Sequence, residues 1–186
     1  MLLQQEILIF AILYNKVIMM AKVIGQKFSE MRNKVFAELL QNKELLKAIV
    51  VESEDYLNES PTQEQLELLK NPSKLIRNYI YPYKKMFDTV TEKKVIISSE
   101  LTGFKKQGRN YRDGFVTFYI LSPTQLEKTK YGLRNDCIGD LIEEIFTNTT
   151  IGELHFADRG DIDIGDNYIG HYITFKVTEF HIVRQE

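Results

Sequence analysis

The sequence is poor in the residues that announce a cofactor or a covalent framework. Its 186 residues hold one cysteine, Cys137, three histidines and no tryptophan. A single thiol excludes an internal disulfide, and without CxxC or paired Cys/His ligands there is no structural-zinc pattern. That usage fits a reducing compartment. GxSxG, GxxxxGK[ST] and GxGxxG are all missing, so neither a nucleophile elbow nor a phosphate cradle is signalled. His155, His171 and His181 have no partner at HExxH spacing, and His171 shares a strand face with Ile169 and Ile173, as a hydrogen-bonded core histidine would. Cys137 falls inside an apolar helical stripe, where a thiol behaves as a small hydrophobe. No catalytic, cofactor-binding or metal-ligating set emerges, and a non-enzymatic protein without cofactor is expected.

Long apolar runs are also scarce. Residues 7–14, ILIFAILY, are stopped by Asn15 and Lys16, and such a run falls short of the ~20 residues a bilayer requires. Residues 1–6 lack the basic region of a secretory signal. No membrane contact is expected. Met19 and Met20 each offer an alternative start, so 1–27 reads as an N-terminal extension, either a mis-start or a partner-binding helix. Residues 28–186 read as one α+β domain.

Acidic residues are scarce in one stretch and basic residues in the next. Residues 70–112 hold eleven Lys/Arg against three Asp/Glu, whereas residues 113–186 hold six against thirteen. Charge segregated in this way points to nucleic acid, to an oppositely charged partner, or to copies of the chain meeting head to tail.

Periodicity supplies the elements. Met31, Val35, Phe36, Leu39, Leu40, Leu45, Leu46 and Ile49 recur at helical spacing, with Ser29 as a candidate N-cap and Asn42 dividing two helices. SPTQ at 60–63 predicts a helix capped by Ser60 and ending near Lys70, before Asn71–Pro72. Ser73 is placed to cap one more short helix through Ile80. Extended segments follow at 93–101 and 114–122, joined by a long basic tip containing Lys105, Lys106, Arg109 and Arg112. Both alternating sets of the second segment are largely apolar, so both its faces should be covered. A helix over 131–146 would bury Leu133, Cys137, Ile138, Leu141, Ile142, Ile145 and Phe146 and turn Asp136, Asp140, Glu143 and Glu144 the other way. A short strand at 152–157 and a long one at 167–183 complete the order. The predicted class is α+β: N-terminal helices, then β-β-α-β-β, a mostly antiparallel sheet with helices packed on one face.

DRGDIDIGDN, 158–167, is the densest cluster of potential ligands, with Asp158, Asp161, Asp163 and Asp166. An EF-hand loop needs glycine at its sixth position and glutamate at its twelfth. Counted from Asp161 those positions are Asp166 and Tyr172, so the register fails. Between two strands, this Asp/Gly/Asn density predicts a solvated hairpin turn. Two alternatives stay open. A metal-dependent nuclease would combine Asp158 and Asp161 with Glu179 and Lys176. A nucleic-acid adaptor would use the basic 70–112 segment, where RNYIYPYKKMF (77–87) interleaves aromatic and basic residues.

LLQNKELLKAIV (39–50), LIRNYIYPYKK (75–85), DGFVTFYILS (113–122), YGLRNDCIGDLIEEIF (131–146), IGELHF (151–156) and YIGHYITFKVTEF (168–180) together resemble the small tail terminator, or tail completion, proteins of tailed bacteriophages. The resemblance spans roughly 28–183 and rests on hydrophobic phrases and element order. It implies an α+β subunit of a ring, a hexamer or dodecamer, at the head–tail or neck junction of a virion assembled in the host cytoplasm. The partners it implies are further copies of the chain and the tail-tube and neck or connector proteins, with DNA only in passing through the channel. Under it, Lys105, Lys106, Arg109 and Arg112 and Asp158, Asp161, Asp163 and Asp166 become candidate inter-subunit contacts. Asp136, Asp140, Glu143 and Glu144 become candidate channel-facing acids.

Overall fold

The computed structural model describes residues 29–85, 93–107, 111–147 and 153–180. The N-terminal extension, Met19, Met20, Arg109 and His181 lie outside these residues. The chain divides into two units, Met1–Phe36 and Ala37–Glu186. Of the first, residues 29–36 are described and are helical, with Ser29 inside the helix. This helix, α1, runs over 29–41. The sheet and all the remaining elements belong to the second unit.

Asn42 ends α1 and begins α2 (Lys43–Val50), as the sequence predicts, because its carboxamide oxygen accepts the Leu45 amide at 2.9 Å. Helix α2 buries Leu45, Leu46, Ala48, Ile49 and Val50. The next helix, α3 (Gln63–Lys70), is capped by Thr62 and not by Ser60. Thr62 and Gln65 form a reciprocal capping box, which satisfies two end groups at once. The helix predicted after Ser73 is only a 3₁₀ turn over Pro72–Leu75. Arg77, at φ 63°, then reverses the chain and donates its amide to the Ile80 carbonyl at 2.8 Å, starting the two-residue strand β1 (Ile80–Tyr81).

The main sheet has the order β1-β2-β3-β7-β6, with β2 Ile96–Gln107, β3 Tyr111–Pro123, β6 Glu153–Ile162 and β7 Tyr168–Phe180. Strand β1 pairs parallel to β2, and every other pairing is antiparallel. A small ribbon, β4 (Lys128–Thr129) with β5 (Gly132–Leu133), leads into α4 (Arg134–Thr147). The α+β class with one helix-covered sheet face is therefore as predicted.

Two boundaries differ. The strands of the first hairpin run on to Gln107 and from Tyr111, so Lys105, Lys106 and Arg112 belong to strands and not to a long tip. Pairing continues past a bulge at Gly103–Phe104, which absorbs the break in alternation between Thr102 and Lys105. In the same way β6 passes a bulge at Ala157 and reaches Ile162, so Asp158 and Asp161 are strand residues.

The core lies between α4 and the sheet. Phe118 of β3, Phe146 of α4 and Phe175 of β7 meet at centroid distances of 5.1, 5.5 and 6.1 Å. Alternation then sends Thr117, Tyr119, Tyr172 and Thr174 to the opposite face, where they are half-buried. Among the described residues, one end of that face is covered by the chain itself: Tyr81, Ile96 and Leu121 form a small second core under Ile164 and Tyr168.

Candidate interaction edges

The sheet ends in two edges of opposite charge. Asp158, Asp161 and Asp140 are exposed along the β6 edge, because α4 packs on the inner face beside β6 and carries its own acids there. Asp140, Glu143, Glu144 and Thr147 line a shallow open depression on α4. On the opposite edge, Arg77, Lys84, Lys93 and Lys105 are exposed around β1 and β2. The charge blocks of the sequence have thus been carried by topology to opposite ends of one sheet.

The aspartates differ in what they do. Register places Asp158 beside Thr174 on the outer face, where it accepts the Tyr172 hydroxyl at 2.8 Å. Asp161 lies opposite His171 on the inner face, 3.0 Å from His171 Nδ1. Asp163 accepts the Gly165 amide at 3.1 Å, which is the turn role expected of it. Asp166 is exposed in the same turn, and its carbonyl accepts the Thr124 hydroxyl. The solvated hairpin turn predicted over 158–167 is shortened: residues 158–162 are strand, while Asp163, Gly165, Asp166 and Asn167 stay exposed in the turn and Ile164 folds over Gly170. A Cβ on Gly170 would run into the Ile164 side chain and stand 2.9 Å from the Ile162 carbonyl oxygen, a backbone contact that favours glycine here. The residues a nuclease would gather are also parted: Asp158 and Asp161 lie on opposite faces, and the Lys176 ammonium is in an ion pair with Asp113 at 3.3 Å. Among the described residues no three His, Cys, Asp or Glu side chains are grouped to hold a metal.

Arg159 organises the acidic edge. Its Nε donates to His171 Nε2 at 2.9 Å, its Nη1 to Asp140 and its Nη2 to the Asp136 carboxylate and carbonyl at 3.1 Å. A guanidinium cannot accept, so His171 Nε2 is an acceptor and Nδ1 carries the proton toward Asp161. The neighbouring carboxylates hold Arg159 charged against the cost of its partial burial. The approach is close because Gly139 has no side chain: a Cβ there would stand 3.0 Å from the guanidinium. Asp136 and Asp140 are therefore engaged within the chain, whereas Glu143 and Glu144 belong to the open depression. His171 is the hydrogen-bonded core histidine predicted for it, 7% exposed.

A second hub was hidden in the sequence. The stripe of α4 was expected to begin at Leu133, yet Leu133 is exposed while Arg134 and Asn135 are buried. Arg134, 0% exposed, donates to four carbonyls: Leu126 (2.6 Å), Ala48 (2.8 Å), Val51 (2.9 Å) and Ser53 (2.7 Å). It lies over the Tyr56 ring and puts positive charge at the C-terminal end of α2. Asn135 accepts the Ser122 hydroxyl and donates to the Ile169 carbonyl, tying α4 to β3 and β7. Beside them Glu127 accepts the Asn135 amide, and burial pushes its carboxyl up to about 7 against the opposing pull of its hydrogen bonds. Periodicity held a clue: counting back four residues from Ile142 lands on Ile138, and counting back three and four from Ile138 lands on Asn135 and Arg134.

Among the described residues no helix is long and apolar enough to cross a membrane. The family model described as YomW matches residues 42–177, which takes in α2 through nearly all of β7. No curated protein matches the chain.

Proposed function

The chain belongs to the YomW family, a phage-derived family, and from that premise we propose that it is a non-enzymatic virion protein forming a ring at the head–tail or neck junction. In this role it terminates the tail tube and joins it to the head. Membership makes a phage-related protein of it, and the observation that carries the finer role is the opposite charge of the two sheet edges. A ring of identical subunits needs heterologous contacts that close by rotation, and one surface must then recognise a different surface of the next copy. A subunit polarised across its sheet meets that requirement. The order of helices and then β2-β3-α4-β6-β7 keeps the β-β-α-β-β pattern on which the resemblance to tail terminator proteins rests.

The ring would contain six or twelve copies, contact tail-tube and connector proteins, and let DNA pass without binding it. The test is a phage deleted for this gene. Heads and tails that accumulate unjoined, with tails of irregular length, are the expected result, together with immunogold label at the neck of complete virions. Normal virions from the deletion, or virions free of the protein, would refute the proposal.

A further inference from the structure

We infer that copies of this chain associate head to tail, the acidic edge of β6 and α4 of one copy docking on the basic edge of β1 and β2 of the next. The inference rests on the ring proposal and specifies the contact within it. Three observations carry it.

Charge complementarity comes first. Asp158, Glu143 and Glu144 mark one edge, and Arg77, Lys93 and Lys105 mark the other. The main cation of the acidic flank, Arg159, is turned inward onto Asp136, Asp140 and His171, which leaves that edge acidic. Among the described residues, Glu100 on the basic flank is likewise engaged, by Lys84 at 3.6 Å and by the Tyr119 hydroxyl.

Strand direction comes next. Across β2-β3-β7-β6 each neighbour is antiparallel, so β6 runs opposite to β2. Repeating the subunit in one orientation therefore sets β6 antiparallel to the next copy's β1 and β2, and the sheet continues with its own alternation. Among the described residues β6 has no strand on its outer side; β1 is two residues long, bonded to β2 at Ile97 and Ser98 and bridged by Ile76 at Ile80, so β2 beyond Ser98 has a strand partner on its β3 side alone. A two-fold contact would instead bring β6 to β6, acid against acid, which is unfavourable.

Apolar surface at the two edges is the third. Phe156 of β6 is 49% exposed, and Tyr83, just beyond β1, is 51% exposed. Each edge thus adds an exposed aromatic side chain to its charge, and aromatic residues are enriched at the centres of protein contacts.

The test is a charge swap in the full-length chain, read by sedimentation velocity and native mass spectrometry. One variant carries Asp158→Lys, Glu143→Lys and Glu144→Lys, and a second carries Arg77→Glu, Lys93→Glu and Lys105→Glu. A third carries all six. Wild type should form a closed oligomer. The first two variants should be monomers alone and assemble when mixed, because one then has two basic edges and the other two acidic ones. The sixfold variant should assemble by itself, which also shows that the substituted chains fold. A wild-type monomer refutes the ring. A wild-type ring that both single-edge variants still form, or a sixfold variant that stays monomeric with wild-type circular dichroism, leaves the ring standing and overturns this contact.

Discussion

Replacing Arg134 by methionine should destabilise the protein more than the loss of any other single polar side chain. The guanidinium is fully buried and its N–H groups satisfy the carbonyls of Leu126, Ala48, Val51 and Ser53. Methionine fills much of the volume but donates nothing, so four carbonyls lose their partner together. An orphaned buried acceptor costs about 1–3 kcal/mol. Water reaching the Ser53 and Leu126 carbonyls, whose bonds are only part-buried, recovers some of that loss. The charge itself was costly to bury, and burial pulls the Arg134 pKa down. The net expectation is a loss of about 3–5 kcal/mol, a large share of the ~5–15 kcal/mol that holds a domain. Arg134→Lys should lose about half as much, since an ammonium offers three donors but neither the planar fork nor the stacking on Tyr56. Urea unfolding of the full chain, followed by circular dichroism, gives both values, with an unchanged denaturant slope confirming a native-state effect. A methionine variant within about 1 kcal/mol of wild type would refute the idea that this guanidinium clamps α2 to α4.

Glu127 is 3% exposed with its carboxyl raised to about 7 from 4.5, so the folded state holds a proton that the unfolded state has released. The contribution of Glu127 to stability should therefore be full below pH 4.5 and fall as pH rises towards about 7, by on the order of 3 kcal/mol. Glu127→Gln should flatten that fall, and identical pH slopes in both proteins would contradict it. Phe146→Ala, which empties the centre of the Phe118–Phe175 stack, should cost about 3–5 kcal/mol by denaturant melts. Gly170→Ala should cost about 1–3 kcal/mol by driving Ile164 off Tyr81, Ile96 and Leu121. Adding Ile164→Ala should cost less than the two effects summed; strict additivity would place the clash elsewhere.

Element type was legible where period and burial agree. Ile138, Ile142, Ile145 and Phe146 repeat at helical spacing and are buried; Val116, Phe118 and Ile120 alternate and are buried. The divider at Asn42 was legible because the side chain itself makes the cap. What sequence pattern missed depends on long-range partners. Asp158 and Asp161 resemble turn residues by composition, and only pairing with β7 draws them into a strand. Ser60 and Thr62 are both acceptable caps; the register of the Gln65 carboxamide selects Thr62. Arg134 looks like the polar start of a helix until Leu126 and the distant 48–53 segment present their carbonyls to it. Sequence did show the candidate contacts as charge blocks. That the blocks reach opposite sheet edges follows from the order β1-β2-β3-β7-β6, which no local pattern encodes.

A subunit polarised across its sheet should close into a ring with copies of itself. Native mass spectrometry of the purified full-length protein, with class averages from negative-stain microscopy, decides whether it does. The expected result is one dominant closed species with cyclic symmetry, six or twelve copies around a central hole, that dissociates as salt screens the charged edges. A monomer across the accessible concentration range, or a two-fold dimer that does not grow, would contradict it.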